Sequence, residues 1–229
     1  MRSLRRVLPL LLVAVPLLLP AQTPVRRTIS YRTTEGTWMS PDVSGDGRTI
    51  LFDLVGDLYT MPITGGVALP IVTGTDFASQ PRYAPDGRRI VFVTDRSGSD
   101  NLWIADADGR NARQVTKEPR VVMMSPAWSA DGRTVYATVI TGYFPFIADL
   151  WQFDVETGVG RKLVENANGM TSQLVSEPAP GPYGPVSTRD GAFVYFASVT
   201  PRAYNARSGT TSRIMRVATR GGAAEAVVT

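Results

Sequence analysis

The chain has 229 residues, and 43% of them are hydrophobic, so it holds enough apolar side chains for one large core or two small ones. It has no cysteine and no histidine, which excludes disulfides, thiolate or histidine metal ligands, and any Ser-His-Asp triad. The formal charge is +4, from 24 Lys and Arg against 20 Asp and Glu, but three of the arginines lie in the first six residues, so the rest of the chain is nearly neutral and gives little evidence for a nucleic-acid-binding face.

The first residues differ in composition from the rest. A cationic head, MRSLRR, precedes the apolar stretch VLPLLLVAVPLLLP, and Ala21 offers a small residue for cleavage. This pattern predicts a secretory signal peptide over residues 1–21, because the apolar stretch is shorter than the roughly 20 residues that span a bilayer. An uncleaved anchor is the alternative. Export without disulfides fits a bacterial periplasm or the cell exterior, with no membrane contact beyond the signal peptide.

Residues 22–37 are predicted to form an N-terminal arm or a closing strand. In RTISYRT, residues 27–33, Ile29 and Tyr31 alternate with polar residues, as in a half-buried strand. Such a strand either completes a repeat elsewhere in the fold or lies as an ordered arm on the first repeat.

A short phrase then recurs four times. The copies are SGDGRTILFD (44–53), APDGRRIVFV (84–93), SADGRTVYAT (129–138) and TRDGAFVYFA (188–197). Each contains an Asp-Gly pair, which is the preferred centre of a two-residue hairpin loop. The pairs are therefore predicted to form structural turns, and they are Asp46 and Gly47, Asp86 and Gly87, Asp131 and Gly132, and Asp190 and Gly191.

The segments after each turn predict strands. An apolar run follows every Asp-Gly pair, and both of its alternating positions are apolar, which indicates strands covered on both faces. A strand before each turn and two more short strands after the apolar run complete each repeat, which therefore has four strands. The repeats are spaced 40 to 59 residues apart. The pattern predicts an all-β fold, a β-propeller of four-stranded antiparallel blades with about four blades and an incomplete ring. It extends over residues 38–229, with blades at about 38–80, 81–125, 126–184 and 185–229.

Two sets of side chains are assigned to packing or turns rather than to chemistry. The tryptophans Trp38, Trp103, Trp128 and Trp151 occupy strand positions in the repeat and are expected to pack between blades. The four turn aspartates lie on separate blades, so no metal site and no catalytic residue is predicted.

Long insertions provide the candidate binding face. The connections at 141–149, 165–186 and 200–212 are predicted to lie on the face opposite the Asp-Gly turns, where loops on a rigid scaffold commonly bind partners. The candidate binding residues are Tyr143, Phe144, Phe146, Tyr183 and Tyr204. The alternative is that the loop aromatics fold back and cover their own blade.

The wording of the repeats resembles a known family. PRYAPDGRRIVFVTDRSGSDNLW (81–103) resembles the WD-like propeller repeats of the TolB family, whose hallmark is a Pro-x-aromatic-Ser-Pro-Asp-Gly phrase. EGTWMSPDVSGDGRTILFDLVGDLYTMPITGG (35–66) is similar to the opening of the propeller that precedes the catalytic domain in exported amidohydrolases related to imidazolonepropionase. Gly45, Ala130 and Arg189 depart from the pattern, since they replace the turn proline.

The resemblance implies a non-catalytic propeller region that gates or positions a catalytic domain absent from this chain. Any cofactor, a divalent metal, would belong to that domain, and the partner would be a protein or the chain's own C-terminal domain. We also expect the chain to be the N-terminal part of a longer gene product. One alternative is a TolB-like periplasmic scaffold that binds proteins without catalysis. Another is a hydrolase-linked propeller of the dipeptidyl-peptidase kind.

Overall fold

The computed structural model describes residues 32–141, 147–165, 181–200 and 211–227. The chain divides into two compact units, residues 1–35 and Gly36–Thr229. In the first unit the described residues are 32–35, where the Thr33 hydroxyl donates to the Glu35 carbonyl at 2.6 Å. The predicted signal peptide and the strand predicted around Ile29 and Tyr31 lie outside the described residues.

The second unit is built from β-strands, and the described residues contain no helix. The strands are β1 (Asp42–Val43), β2 (Thr49–Leu54), β3 (Asp57–Pro62), β4 (Leu69–Val72), β5 (Ala78–Tyr83), β6 (Arg89–Thr94), β7 (Asn101–Asp106), β8 (Arg113–Gln114), β9 (Val122–Trp128), β10 (Thr134–Thr141), β11 (Ile147–Asp154), β12 (Gly160–Val164), β13 (Gly181–Ser187), β14 (Phe193–Thr200), β15 (Thr211–Ala218) and β16 (Glu225–Ala226).

Four consecutive strands form each sheet. The sheets are β1–β4, β5–β8, β9–β12 and β13–β16, here called blades one to four, and neighbouring strands in each are antiparallel. The prediction of an all-β fold of four-stranded antiparallel sheets is confirmed. The first strand of each blade is its inner strand in the description that follows.

Each Asp-Gly pair lies in a five-residue connection between the first and second strands. In blade one, Ser44 N–H donates to the Thr49 carbonyl at 2.9 Å, and Gly47 N–H donates to the Ser44 carbonyl at 2.8 Å. The expected two-residue loop is wrong, because that turn needs positive φ at both central residues. Here Gly47 has φ of 71°, whereas Asp46 does not have positive φ.

In each blade, the start of the second strand lies beside the end of the third strand. In blade one, Ile63 N–H, just after β3, donates to the Arg48 carbonyl, just before β2, at 2.8 Å. The same bond recurs in the other blades, from Ala107 to Arg88, from Val155 to Arg133, and from Thr219 to Ala192. The Asp-Gly turns and the turns between third and fourth strands therefore lie on one face of the second unit.

Alternate side chains of the second strands pack against opposite neighbours. In β6, Ile90 and Phe92 are fully buried in a cluster with Leu51 of blade one. The intervening Val91 and Val93 belong to a different cluster, which joins blade two to blade three. Strand alternation therefore lets one strand supply apolar side chains to both junctions.

A third cluster joins blades three and four. Tyr136 and Leu150 of blade three share it with Val194, Phe196 and Val217 of blade four, and all are buried. Full burial of a side chain of this size contributes roughly 1.5–3 kcal/mol. Neighbouring blades therefore supply much of one another's stability, as in other repeat proteins.

The other face of blade four is less covered. Tyr195 and Ala197 of β14 are half-buried, although the equivalent residues of the other blades are buried. Their cross-strand partners Val186 and Ile214 are 63% and 46% exposed. The described residues place no fifth sheet against this apolar surface, which we call the outer face of blade four.

Three of the four tryptophans pack as expected. Trp128 is 7% exposed and belongs to the cluster between blades two and three. The side chains of Trp103 and Trp151 are half-buried, and they pack against the cluster between blades one and two and the cluster between blades two and three, respectively. The expectation for Trp38 is wrong, since its side chain is 99% exposed. With φ of 60° Trp38 cannot continue an extended strand, and β1 begins only at Asp42.

Candidate inner-strand binding site

The turn aspartates hold their own loops. The Asp46 carboxylate accepts hydrogen bonds from the Ser44 hydroxyl at 2.6 Å and from Arg48 N–H at 3.1 Å. The Ser44 oxygen in turn accepts from Thr49 N–H at 2.9 Å. The Ser44 hydroxyl, with the Arg48 amide, lowers the pKa of Asp46. We call a carboxylate that accepts hydrogen bonds from its own loop in this way a turn clamp.

The same clamp occurs in blades three and four. Asp131 accepts from the Ser129 hydroxyl at 2.6 Å, and Asp190 accepts from the Thr188 hydroxyl at 2.5 Å. These hydroxyls also lower the pKa of both aspartates. In blade two the equivalent residue is Ala84, so Asp86 has no hydroxyl partner and instead pairs with Arg89 at 3.5 Å.

The described residues contain no group of three or more His, Cys, Asp or Glu side chains that could hold a metal ion. Within the same residues, no helix is long and apolar enough to cross a bilayer.

The candidate binding residues fall in two places. Tyr143, Phe144, Phe146 and Tyr204 lie outside the described residues. Tyr183 was expected in the long connection, but it lies within β13, the inner strand of blade four. The prolines of this segment suggested a loop, yet an edge strand tolerates proline because not every N–H must pair. Burial raises the pKa of the half-buried Tyr183.

The inner strands of all four blades come together around a cavity of about 430 Å³, which we call the inner-strand cavity. Its lining residues are Asp42, Arg82, Tyr83, Pro85, residues 125–128 and residues 184–187. Sequence reasoning missed this site, because its residues are spread over about 145 positions of the chain and converge only when the blades stack.

The wall of the inner-strand cavity has a charged part and an apolar part. Blades one and two contribute Asp42 and Arg82, at the same position of the repeat. At that position blades three and four have Ala127 and Val186. A ligand in this cavity would therefore meet two opposite charges beside an apolar surface.

The two charges are held separately. The Arg82 Nη1 donates to the Pro81 carbonyl at 2.7 Å and the Ser40 carbonyl at 3.3 Å. The Asp42 Oδ2 accepts from Tyr83 N–H at 2.8 Å. Burial, with the nearby charge of Asp42, raises the pKa of Tyr83. Within the described residues, Arg82 and Asp42 form no ion pair with each other.

A polar chain behind the cavity joins the inner strands. Asp53 of β2 accepts from Ser40 N–H at 2.6 Å and from Gln80 N–H at 3.0 Å. The Gln80 side-chain oxygen then accepts from Ser125 N–H of blade three at 2.5 Å. Gln80 and Ser125 have φ of 54° and 55° at irregular positions of β5 and β9, so these bonds hold left-handed backbone at Ser125, which lines the cavity, and at Gln80.

A second cavity, of about 420 Å³, lies at the outer face of blade four. Its lining includes Tyr183, Val186, Tyr195 and Ile214. This cavity is nearly all apolar, and it borders the inner-strand cavity through residues that line both, Ser125, Gly184 and Val186.

Comparison with models of known protein families finds no match. Among curated proteins, this chain is 39% identical over 93 residues to the uncharacterized peptidase YuxL of Bacillus subtilis, covering 38% of this chain and 14% of that protein. It is 36% identical over 84 residues to the Tol-Pal system protein TolB of Albidiferax ferrireducens, covering 37% of this chain and 19% of that protein. The chain therefore matches only a small part of the length of these relatives.

Solved structures share the fold more completely. Putative TolB from Agrobacterium tumefaciens matches 83% of this chain with a TM-score of 0.63 and 22% identity, over 61% of its own chain. Puromycin hydrolase matches 82% of this chain with a TM-score of 0.57 and 20% identity, over 28% of its own chain. The described blades therefore have the TolB-like β-propeller fold, and that part of the predicted resemblance is confirmed.

Proposed function

We propose that this chain is the non-catalytic β-propeller region of an exported amidohydrolase-like protein, in which it gates or positions a catalytic domain absent from the chain. The observation that carries the proposal is the unequal coverage of the fold. The blades match 82% of this chain but 28% of puromycin hydrolase, whose name is that of an enzyme. The peptidase named among the curated relatives also supports a propeller that serves a hydrolase.

The chemistry of this chain supports the non-catalytic part of the proposal. The sequence has no histidine, so it lacks the usual general base and the histidine ligands of hydrolytic metal sites. Three of the four turn carboxylates accept hydrogen bonds from hydroxyls of their own loops. A divalent metal would accordingly belong to the catalytic domain, and the parent protein would be a metal-dependent amidohydrolase.

The class of that enzyme rests on the first repeat, residues 35–66, whose phrase resembles the propeller opening of exported amidohydrolases. The leader pattern of residues 1–21 supports export to the periplasm. The expected partner is the chain's own C-terminal domain or a separate protein.

The test is the gene sequence beyond the codon for Thr229. An open reading frame that encodes further blades and then a strand with a His-x-His motif is expected. A frame that encodes a serine hydrolase instead would favour the dipeptidyl-peptidase alternative, and an immediate stop codon would contradict a linked catalytic domain.

A TolB-like periplasmic scaffold without enzymatic activity is the second candidate. The structural match to 61% of a TolB chain supports it. The test is capture of a partner from a periplasmic extract by the chain and by a variant with Tyr143, Phe144 and Phe146 changed to serine. Loss of the partner in that variant, but not in the exposed-site control Val159→Ser, is expected. Equal capture by both variants would contradict a binding role for that loop.

A further inference from the structure

We propose that the inner-strand cavity binds a carboxylate attached to an apolar body, and that Arg82 is the residue that holds the carboxylate. This inference goes beyond the proposed function, since it does not depend on which domain or protein the propeller serves.

The guanidinium of Arg82 is already oriented. Its Nη1 donates to the carbonyls of Ser40 and Pro81. The Nε and Nη2 groups make no hydrogen bond to the described residues. They lie on one edge of the planar group, where two parallel N–H bonds match the two oxygens of a carboxylate.

Arg82 also makes no direct ion pair within the part of the chain that the structure describes. Arg82 is half-buried, and Asp42, an acid that lines the same cavity, accepts a hydrogen bond from the backbone N–H of Tyr83 instead. A partly desolvated guanidinium without a direct ion pair gains free energy from an anion that makes two parallel hydrogen bonds to it.

The rest of the cavity selects the body of the ligand. Pro126, Ala127, Trp128 and Val186 present apolar surface from blades three and four. A volume of about 430 Å³ lies within the ordinary range for small-ligand sites. The negative charge of Asp42 in the same cavity disfavours a dianion such as phosphate, so a single carboxylate is the matching anion.

Two sources offer this chemistry, the C-terminal residue of a peptide and a free aliphatic acid. Isothermal titration of the full chain with three probes separates them: an N-acetylated tripeptide ending in leucine, the same tripeptide with a C-terminal amide, and hexanoate. The acid tripeptide is expected to bind at least about tenfold more tightly than its amide, because the amide loses the charged pair. Tighter binding of the tripeptide than of hexanoate would identify a peptide terminus, and the reverse order would identify a free acid.

Two variants assign the binding to Arg82. Arg82→Gln is expected to weaken binding of the acid tripeptide at least about tenfold. Arg82→Lys is expected to recover only part of this loss, because an ammonium group cannot present the two parallel N–H donors of a guanidinium. Arg88→Gln is the matched control, since Arg88 is exposed on the turn of the same blade and its side chain makes no hydrogen bond to a described residue. Equal binding of acid and amide by the unaltered chain would overturn the proposal whether or not a variant folds. Undiminished binding by Arg82→Gln, or no binding of either acid, would also overturn it.

Discussion

The carboxylate of Asp53 in blade one accepts a hydrogen bond from the backbone N–H of Gln80 in blade two at 3.0 Å. Its other oxygen accepts from Ser40 N–H at 2.6 Å, and the residue is 8% exposed. One buried side chain thus joins the segment just before the inner strand of its own blade to the inner strand of the next.

Asp53→Asn is expected to lower the free energy of unfolding by about 1–3 kcal/mol, since the amide can replace only one of the two acceptors and leaves a buried N–H unsatisfied. Urea unfolding followed by circular dichroism measures the change. Glu156→Gln is the control, because that side chain is 73% exposed and its pair with Arg113 is a surface ion pair, which contributes little to stability. Equal stability of the two variants would show that the Asp53 bonds contribute nothing net.

Blade two lacks one element of the turn clamp, and restoring it is expected to stabilise the chain. Ala84 occupies the position at which Ser129 binds the turn aspartate of blade three. Ala84→Ser would give Asp86 a hydroxyl donor and is expected to add about 0.5–1.5 kcal/mol to the free energy of unfolding. Thermal unfolding measures the gain. A lower melting temperature would show that the buried hydroxyl costs more than its bonds contribute.

Acid is expected to weaken the clamps. The hydroxyls of Ser44, Ser129 and Thr188 hold the pKa of their aspartates below the ordinary value of 3.8. A lowered folded-state pKa contributes stability that is fully present above 3.8 and is lost as pH falls through the folded-state pKa.

A variant with Ser44, Ser129 and Thr188 changed to alanine should therefore be less stable than the unaltered chain at pH 6, and the difference in melting temperature should shrink toward pH 3. Thermal unfolding at both values tests this. A difference that stays constant with pH would contradict a contribution from the ionised carboxylates.

Gly109 is required by close contact between two blades. A Cβ at this position would lie 1.9 Å from the Ile71 carbonyl oxygen of blade one, and φ is +83°. Gly109→Ala is expected to cost more than about 2 kcal/mol in unfolding free energy, since both the clash and the left-handed backbone oppose it.

Gly98→Ala separates those two causes. Gly98 has φ of +90° with nothing within 4 Å of the added Cβ, so only the backbone term applies, about 1–2 kcal/mol. Equal losses for both glycine variants would mean that blade one moves away without cost.

The chain made alone is expected to self-associate through the outer face of blade four, since a contiguous exposed apolar surface favours association. Ile214→Asp places a charge on this face at a residue that is 46% exposed and should lower the associated fraction in sedimentation velocity. Val159→Asp, at a 70% exposed residue in the turn after β11, should leave it unchanged. A monodisperse monomer of the unaltered chain would contradict the expectation.

Local signals accounted for most of the predicted fold. The Asp-Gly phrase predicts a turn because the aspartate side chain can bond nearby backbone and the glycine accepts positive φ. The apolar runs that follow predict strands without any knowledge of the rest of the fold. The exceptions depend on pairing. Tyr183 lies in β13 although prolines surround it, because only the sheet shows that this strand is an edge.

The inner-strand cavity could not be predicted in the same way. Asp42 and Arg82 are 40 residues apart, and neither belongs to a motif that predicts a binding site. They come together only because one blade packs against the next. Asp53 offered a weak signal, as the polar end of the run ILFD, but an acid there also fits an exposed strand end. Its role requires the backbone of two blades to be in place.

The alternation of β6, with one set of side chains for the preceding blade and the other for the following blade, gives the stack a direction. Each described blade has a front and a back that are not interchangeable, and the backs of blades one to three fit the fronts of the blades that follow them. Gene duplication or loss of one whole blade would therefore bring compatible surfaces together again, whereas an inverted blade would meet mismatched neighbours.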